Sequence, residues 1–250
     1  MKKRILMPLP STDFDPTESG VPWRVLTQLG FEVIIATPSA VIPICDLRML
    51  DGHGLGVLAP LLMADQNGQE SYREMAQSPA FQNPLNWQEI EASDFDGLIL
   101  AGGHAKGMRE YLESEKLQRI VGPFFELARP VGAICHGVLL AARSRARNSE
   151  KSVLWGRKTT SLLASQELLA WGLTCTWLKD YYRTYPQTVE TEVRQCLRNP
   201  VEDFLIGPFP FFRDQPKNLS RGFIVQDCAY VSARWPGDAF KFAATFAKLF

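Results

Sequence analysis

Val131-Gly132-Ala133-Ile134-Cys135-His136-Gly137 is the stretch from which the rest of the chain is read. A short apolar run ends abruptly in Cys-His-Gly, and a helix-like apolar stretch, 138–142, follows. That order predicts strand, tight turn and helix, with a thiol lifted above the end of a sheet. It is the mechanical arrangement of a nucleophile elbow, with sulfur in place of a serine oxygen. A helix N-terminus and a neighbouring imidazole both favour the thiolate. Such settings lower a cysteine pKa from about 8.5 to roughly 3.5–7.5. The competing reading is an inert core cysteine, since cysteine is among the most buried residue types. His136 and the flanking glycines weigh toward function.

Outward from the elbow, strands and helices alternate. Residues 3–9 predict a buried first strand. A helix capped by Thr17, with Pro22 in its first turn, runs to near Gly30, and 31–37 forms a second strand. Segment 96–104, Asp-Gly-Leu-Ile-Leu-Ala-Gly-Gly-His, reads as a strand entering a glycine turn. Residues 108–128 read as a helix that Pro130 ends before the next strand delivers Cys135. Residues 165–171 and 189–197 look helical, 174–177 suggests a short strand, and 222–226 with 230–234 form a terminal hairpin before a last helix, 237–250. The proline-rich stretch 38–93 predicts loops and short helices. This alternation predicts a flavodoxin-like, doubly wound parallel α/β sheet sandwiched by helices, whose ligands bind beyond the strand C-terminal ends. The 250 residues are read as one domain, 1–250, with inserts near 38–93 and 172–222.

Composition excludes several classes. Lysine plus arginine equals aspartate plus glutamate at 27 each, which argues against a nucleic-acid or acidic-membrane binder. No apolar run approaches the roughly 20 residues of a membrane span, and the apolar start is stopped by Pro8 and Pro10 too soon for a signal peptide. Five scattered cysteines without Cys-x-x-Cys spacing suit neither a disulfide framework nor a zinc cluster, and fit a reducing cytoplasm. His53 and His104 have no metal-ligand spacing, so no metal is expected.

A cysteine nucleophile needs a base, an orienting acid and donors for an oxyanion. Cys135 and His136 supply the first pair. The backbone N–H of His136, with one from Gly102 or Gly103, could form an oxyanion hole, and a glycine there lets backbone approach a substrate. The acid behind His136 comes from elsewhere: Glu167, or with weaker claims Asp180 and Glu190. Glu18, past the first strand, could hydrogen-bond the sulfur and act as general acid–base. Its plain alternative is a carboxylate at a helix N-terminus.

At these residues the sequence resembles the ThiJ/PfpI superfamily, also called class I glutamine-amidotransferase-like. The matching pieces are Glu18, the segment 96–104 with Gly102-Gly103-His104, Ala133-Ile134-Cys135-His136-Gly137, and Gly156-Arg157-Lys158-Thr159-Thr160 with Glu167 behind it. The insert at 38–93 is most similar to the glyoxalase III and heat-shock chaperone branch. The resemblance implies a homodimer with Cys135 as nucleophile, His136 as partner, Glu167 as third member and Glu18 as the sulfur's carboxyl neighbour. It also implies a small-molecule carbonyl substrate such as methylglyoxal and no external cofactor. The chain departs from the family pattern where Ala105 follows His104. It departs again over 172–235, where Asp180–Tyr185 and Ser232–Gly237 could cap the pocket and Arg183 or Arg234 could bind an anionic group. The alternatives are a related hydrolase or deglycase, and a stress chaperone or redox sensor without turnover.

Overall fold

Ile5, Leu6, Met7 and Pro8 are all buried, so the first strand has no solvent face and belongs inside a sheet. In the computed structural model, which describes residues 2–250, it is β1 (Arg4–Pro8). The other strands are β2 (Thr12–Phe14), β3 (Glu32–Thr37), β4 (Ile44–Cys45), β5 (Leu85–Asn86), β6 (Gly97–Leu100), β7 (Val131–Ile134), β8 (Ile224–Asp227) and β9 (Tyr230–Ala233). Seven of them form one sheet in the order β5-β3-β1-β6-β7-β9-β8. Every pairing is parallel except that of β8 with β9. The central order β3-β1-β6-β7-β9 is the flavodoxin-like one, flanked by β5 on one edge and the antiparallel β8 on the other. β2 and β4 pair separately as a parallel ribbon.

The longer helices are α1 (Pro16–Gln28), α2 (Gln66–Ala76), α3 (Glu115–Glu126), α4 (Gly137–Arg143), α5 (Ala164–Leu178), α6 (Val189–Gln195) and α7 (Ala239–Ala247). α1 packs with α7 and carries α2 on its outer side, while α3 and α4 pack together against β6 and β7. Right-handed crossovers put these two groups on opposite faces, because the chain moves from β1 to β3 in one direction and from β6 to β7 in the other. That reversal opens a crevice beyond β1 and β6, where the loops after β1, β6 and β7 converge. The core runs through both faces, from Ile5, Leu98 and Val131 in the sheet to Phe124, Leu139, Phe242 and Phe246 in the helices.

Several local expectations change. Asp15, not Thr17, caps α1: its Oδ1 accepts from the N–H groups of Thr17 (2.8 Å) and Glu18 (2.9 Å). Pro16 opens the helix and Pro22 lies inside it. The expected helix over 108–128 is two, Met108–Leu112 and α3, because Ser114 caps a second start through the Leu117 N–H at 3.3 Å. Residues 174–177, expected as a strand, lie in α5, where Thr174 turns its hydroxyl back to the Ala170 carbonyl at 2.7 Å. A β-branched and aromatic run favours a strand only where it can pair, and the helix context overrides that preference.

Candidate active site

β7 is buried at all four residues, and the chain must turn sharply at its end to begin α4. Cys135 makes that turn with φ +57°, a left-handed conformation that costs a non-glycine residue roughly 1–3 kcal/mol. It is held there by its N–H, which donates to the Ala233 carbonyl at 3.0 Å, and by the close seat of α4 against β6. The elbow expected at 131–137 is the one observed.

His136 lies wholly buried beside it. Its Nδ1 is 3.5 Å from the Cys135 sulfur and its Nε2 is 3.0 Å from Thr184 Oγ1. The Thr184 hydroxyl donates to the His104 carbonyl, so toward His136 it can only accept. This network assigns the ring proton to Nε2 and leaves the Nδ1 lone pair facing the thiol. Arg109 anchors the Thr184 carbonyl through Nε at 2.9 Å. Burial, with His104 and Arg143 nearby, holds His136 uncharged by lowering its pKa well below the ordinary value. The third member implied at Glu167 is therefore corrected: Thr184 stands behind His136. Glu167 accepts from the Val189 N–H at 3.0 Å and pairs with Arg183 at 3.3 Å. It sits in the first turn of α5, and its partners are the start of α6 and Arg183 rather than the imidazole.

Glu18, from the first turn of α1, is fully buried, and neither carboxyl oxygen has a conventional hydrogen-bond partner. Burial first, and the neighbouring Asp15 second, push its pKa well above the ordinary carboxyl range. The same causes act on the nucleophile. Burial first, then the neighbouring carboxyls of Glu18 and Asp15, raise the Cys135 thiol, with the His136 N–H pulling the other way. The depressed thiol expected from the elbow is thus reversed, because desolvation opposes the charged form more strongly than one backbone donor supports it. The resting site is a neutral set of thiol, carboxylic acid and imidazole.

Asp15 makes this visible in stability. Burial raises its pKa from 3.8 to about 6. The folded state then binds a proton the unfolded state has lost between about pH 4 and 6, so stability is full below that window and falls as pH rises through it. A rise from 3.8 to about 6 corresponds to about 3 kcal/mol. Asp15→Asn keeps a capping side chain. Its denaturation curves are expected to lose that pH-dependent decline relative to wild type. Parallel pH profiles for the two proteins would remove this assignment.

Gly102 sits where three groups meet. A Cβ built on it comes 2.3 Å from Glu18 Oε2 and 2.8 Å from Cys135 Cβ, so only glycine lets acid and thiol approach. Its backbone N–H and the Cys135 thiol lie on the Glu18 side and partly offset the effect of burial on that carboxyl, without closing a hydrogen bond to it. Gly103 and His104 line the cavity above the thiol. His104 stacks on Tyr182 at 4.3 Å between ring centroids, and burial lowers its pKa to about 3. Among the described residues no cluster of three or more His, Cys, Asp or Glu side chains is placed to hold a metal ion.

The segment 172–235 does contribute walls to this cavity, through Leu173, Tyr182, Phe209 and Trp235 among others. The arginines named for it are engaged elsewhere. Arg234 is 1% exposed and ion-paired to Asp238 at 3.0 Å, and Arg183 is held by Glu167. The arginines that line the cavity are Arg213 and Arg221, and neither they nor Thr184 and Asp15 were singled out from the sequence. Only its place directly after Phe211-Phe212 marked Arg213, and nothing in that run indicates direction.

The family description that matches is ThiJ/PfpI family-like, over residues 9–208. Protein DJ-1 homolog D of Arabidopsis thaliana is 27% identical over 146 residues, 58% of this chain and 33% of that protein. A deglycase of Thermococcus kodakarensis is 34% identical over 85 residues, 33% of this chain and 45% of that protein. The matches span less than half the length of these curated relatives. Glyoxalase III from Candida albicans superposes with a TM-score of 0.72 at 17% identity, over 99% of this chain and 97% of that one. Drosophila melanogaster DJ-1beta gives 0.56 at 16%, over 99% and 90%. At these identities the structural likeness is one of fold. No helix among the described residues is long and apolar enough to cross a membrane.

Proposed function

The chain belongs to the ThiJ/PfpI family, and from that premise we propose that it is a cysteine-dependent enzyme converting 2-oxoaldehydes to 2-hydroxy acids without glutathione. The observation that carries this reading is the pairing of a thiol that faces a neutral imidazole lone pair with a buried carboxyl that has no other hydrogen-bond partner. A thiol with a base can add to an aldehyde, and a protonated carboxyl beside it can exchange protons with the adduct.

Cys135 Sγ bonds to the aldehyde carbon, its proton passes to His136 Nδ1, and Glu18 protonates the former aldehyde oxygen. Glu18, now a carboxylate, takes the hydrogen from that carbon, and the imidazolium returns its proton to the neighbouring carbonyl oxygen, giving an enediol. Glu18 then protonates the second carbon and recovers a proton from the hydroxyl of the first, leaving a thioester. Water forms the new C–O bond, the C–S bond breaks, and the sulfur regains its proton. One carbon is oxidised and its neighbour reduced, so no external redox cofactor is called for.

The test is methylglyoxal consumption without glutathione, with lactate detected and the reaction repeated in deuterated water. Lactate is the expected result, and its second carbon should carry mainly the hydrogen taken from the aldehyde carbon, because the buried Glu18 passes on the proton it has just accepted. Absence of lactate overturns the reading. Glu18→Gln is expected to reduce kcat by about 10²–10⁴-fold, the usual contribution of a general acid–base. Stability at pH 7 should hold or rise, since a desolvated ionisable group is removed. A Glu18→Gln protein with wild-type kcat would take the proton shuttle away from this residue.

A further inference from the structure

The cavity over Cys135 is far larger than a three-carbon substrate fills. Its volume is about 580 Å³, in the range of roughly 300–1,000 Å³ that holds drug-sized ligands. Its buried polar atoms are also unusual. Both Glu18 oxygens, His104 Nε2, Gln166 Oε1, Arg213 Nη1 and Trp235 Nε1 have no hydrogen-bond partner, and all five residues line this one cavity. Buried polar groups are ordinarily paired, so orphans converging on a single space mark where ligand atoms belong. Arg213 is fixed by its Nη2, which donates to the Met63 carbonyl at 2.9 Å, and by stacking over the Trp235 ring at 5.3 Å. Nη1 and the indole N–H are thereby presented as two neighbouring donors.

The cavity also has an apolar wall that reaches solvent. Leu61, Leu169, Leu173, Phe209, Phe211 and Phe212 line it, each between 42% and 75% exposed. Large apolar side chains left in water at the mouth of a site are the feature a ligand chain covers.

We propose that the ligand is an oxidised two-carbon head on an unbranched alkyl chain, the head held by Arg213 and Trp235 beside Cys135 and the chain lying along Leu169, Leu173 and the three phenylalanines. With the reaction read as above, on which this rests for the substrate's form, the substrate is an alkyl 2-oxoaldehyde longer than methylglyoxal. The product is the 2-hydroxy acid of the same chain. Water is the only co-reactant and the balance of atoms and electrons is unchanged by chain length.

Burial of each methylene improves binding about fourfold. The test separates binding from turnover. Lactate, 2-hydroxyhexanoate and 2-hydroxyoctanoate are titrated calorimetrically into the Cys135→Ala protein, and kcat/KM is measured for methylglyoxal and pentylglyoxal with wild type. Affinity is expected to climb about fourfold per methylene, and kcat/KM with it. Arg213→Met should weaken every member of the series by a common factor of about ten, and Leu173→Gln should flatten the slope. Arg213→Lys, which keeps the charge, replaces the methionine variant if that protein does not fold. Affinity independent of chain length overturns the proposal while leaving lactate formation, and hence the reaction, intact. Rising affinity with no turnover of either oxoaldehyde supports the chain-binding site and removes the reaction instead.

Discussion

Cys135→Ala is expected to lower oxoaldehyde turnover by roughly 10⁴–10⁶-fold, the scale seen when an enzyme loses its covalent nucleophile. That is about 5–8 kcal/mol of barrier at 1.36 kcal/mol per tenfold. The loss is large because no second group can take over the sulfur's role. His136 has its Nδ1 directed at Sγ, and Glu18 is a protonated acid at rest. Cys135→Ser is expected to fail nearly as badly. His136 is held neutral with a pKa well below its ordinary value, which makes it a weak base. Such a base can assist a thiol, whose proton is far more acidic than that of an alcohol. Both variants should retain the wild-type far-ultraviolet spectrum, since the turn at Cys135 is held by its backbone N–H bond to Ala233. Residual activity above about a tenth of wild type in the alanine protein would dismiss Cys135 as nucleophile.

The largest effect on stability is expected at Gly137. A Cβ there would stand 2.2 Å from the Leu100 carbonyl oxygen and 2.7 Å from that of Ala101. Both are backbone atoms at the end of β6, so no side-chain rotation relieves the clash, and α4 must move away from the sheet. Overpacking a dense core by one methyl costs typically 1–3 kcal/mol, and with backbone on both contacts about 3 kcal/mol is expected. For a chain of this size that lowers Tm by roughly 6–12 °C. Turnover should fall as well, because α4 carries the far side of the elbow. Gly172 is the control. Nothing lies within 4 Å of its Cβ position, and it sits in the middle of α5. Gly172→Ala should stabilise the protein by up to about 1 kcal/mol, the helix preference of alanine over glycine. Equal Tm values for the Gly137→Ala and wild-type proteins would show that α4 is not seated as described.

The parallel sheet was legible in the chain because its strands are short, apolar on both faces and separated by helix-length segments. Residues 3–9, 31–37, 96–104 and 131–137 each lead to the strand they predict. The elbow was legible for a related reason: apolar run, Cys-His-Gly and helical run are contiguous, so local sterics alone determine the turn. The strand expected at 174–177 fails where propensity is local and the context is not. The cap at Asp15 rather than Thr17 is a shift of two residues that only backbone geometry decides.

Neighbouring residues were enough to set the order of strands and helices, the thiol at the end of one strand, and Glu18 as a carboxyl in reach of the same sheet end. Tertiary structure alone decided which groups touch. It put Thr184 behind His136 from 48 positions away, directed Glu167 to Arg183, closed Arg234 into an ion pair and brought Arg213 into the cavity. It also reversed the expected acidity of Cys135. Periodicity and turn chemistry are written in neighbouring residues, whereas desolvation depends on everything that surrounds a group. A buried thiol beside two buried carboxyls acquires its proton affinity from residues the chain brings together only on folding.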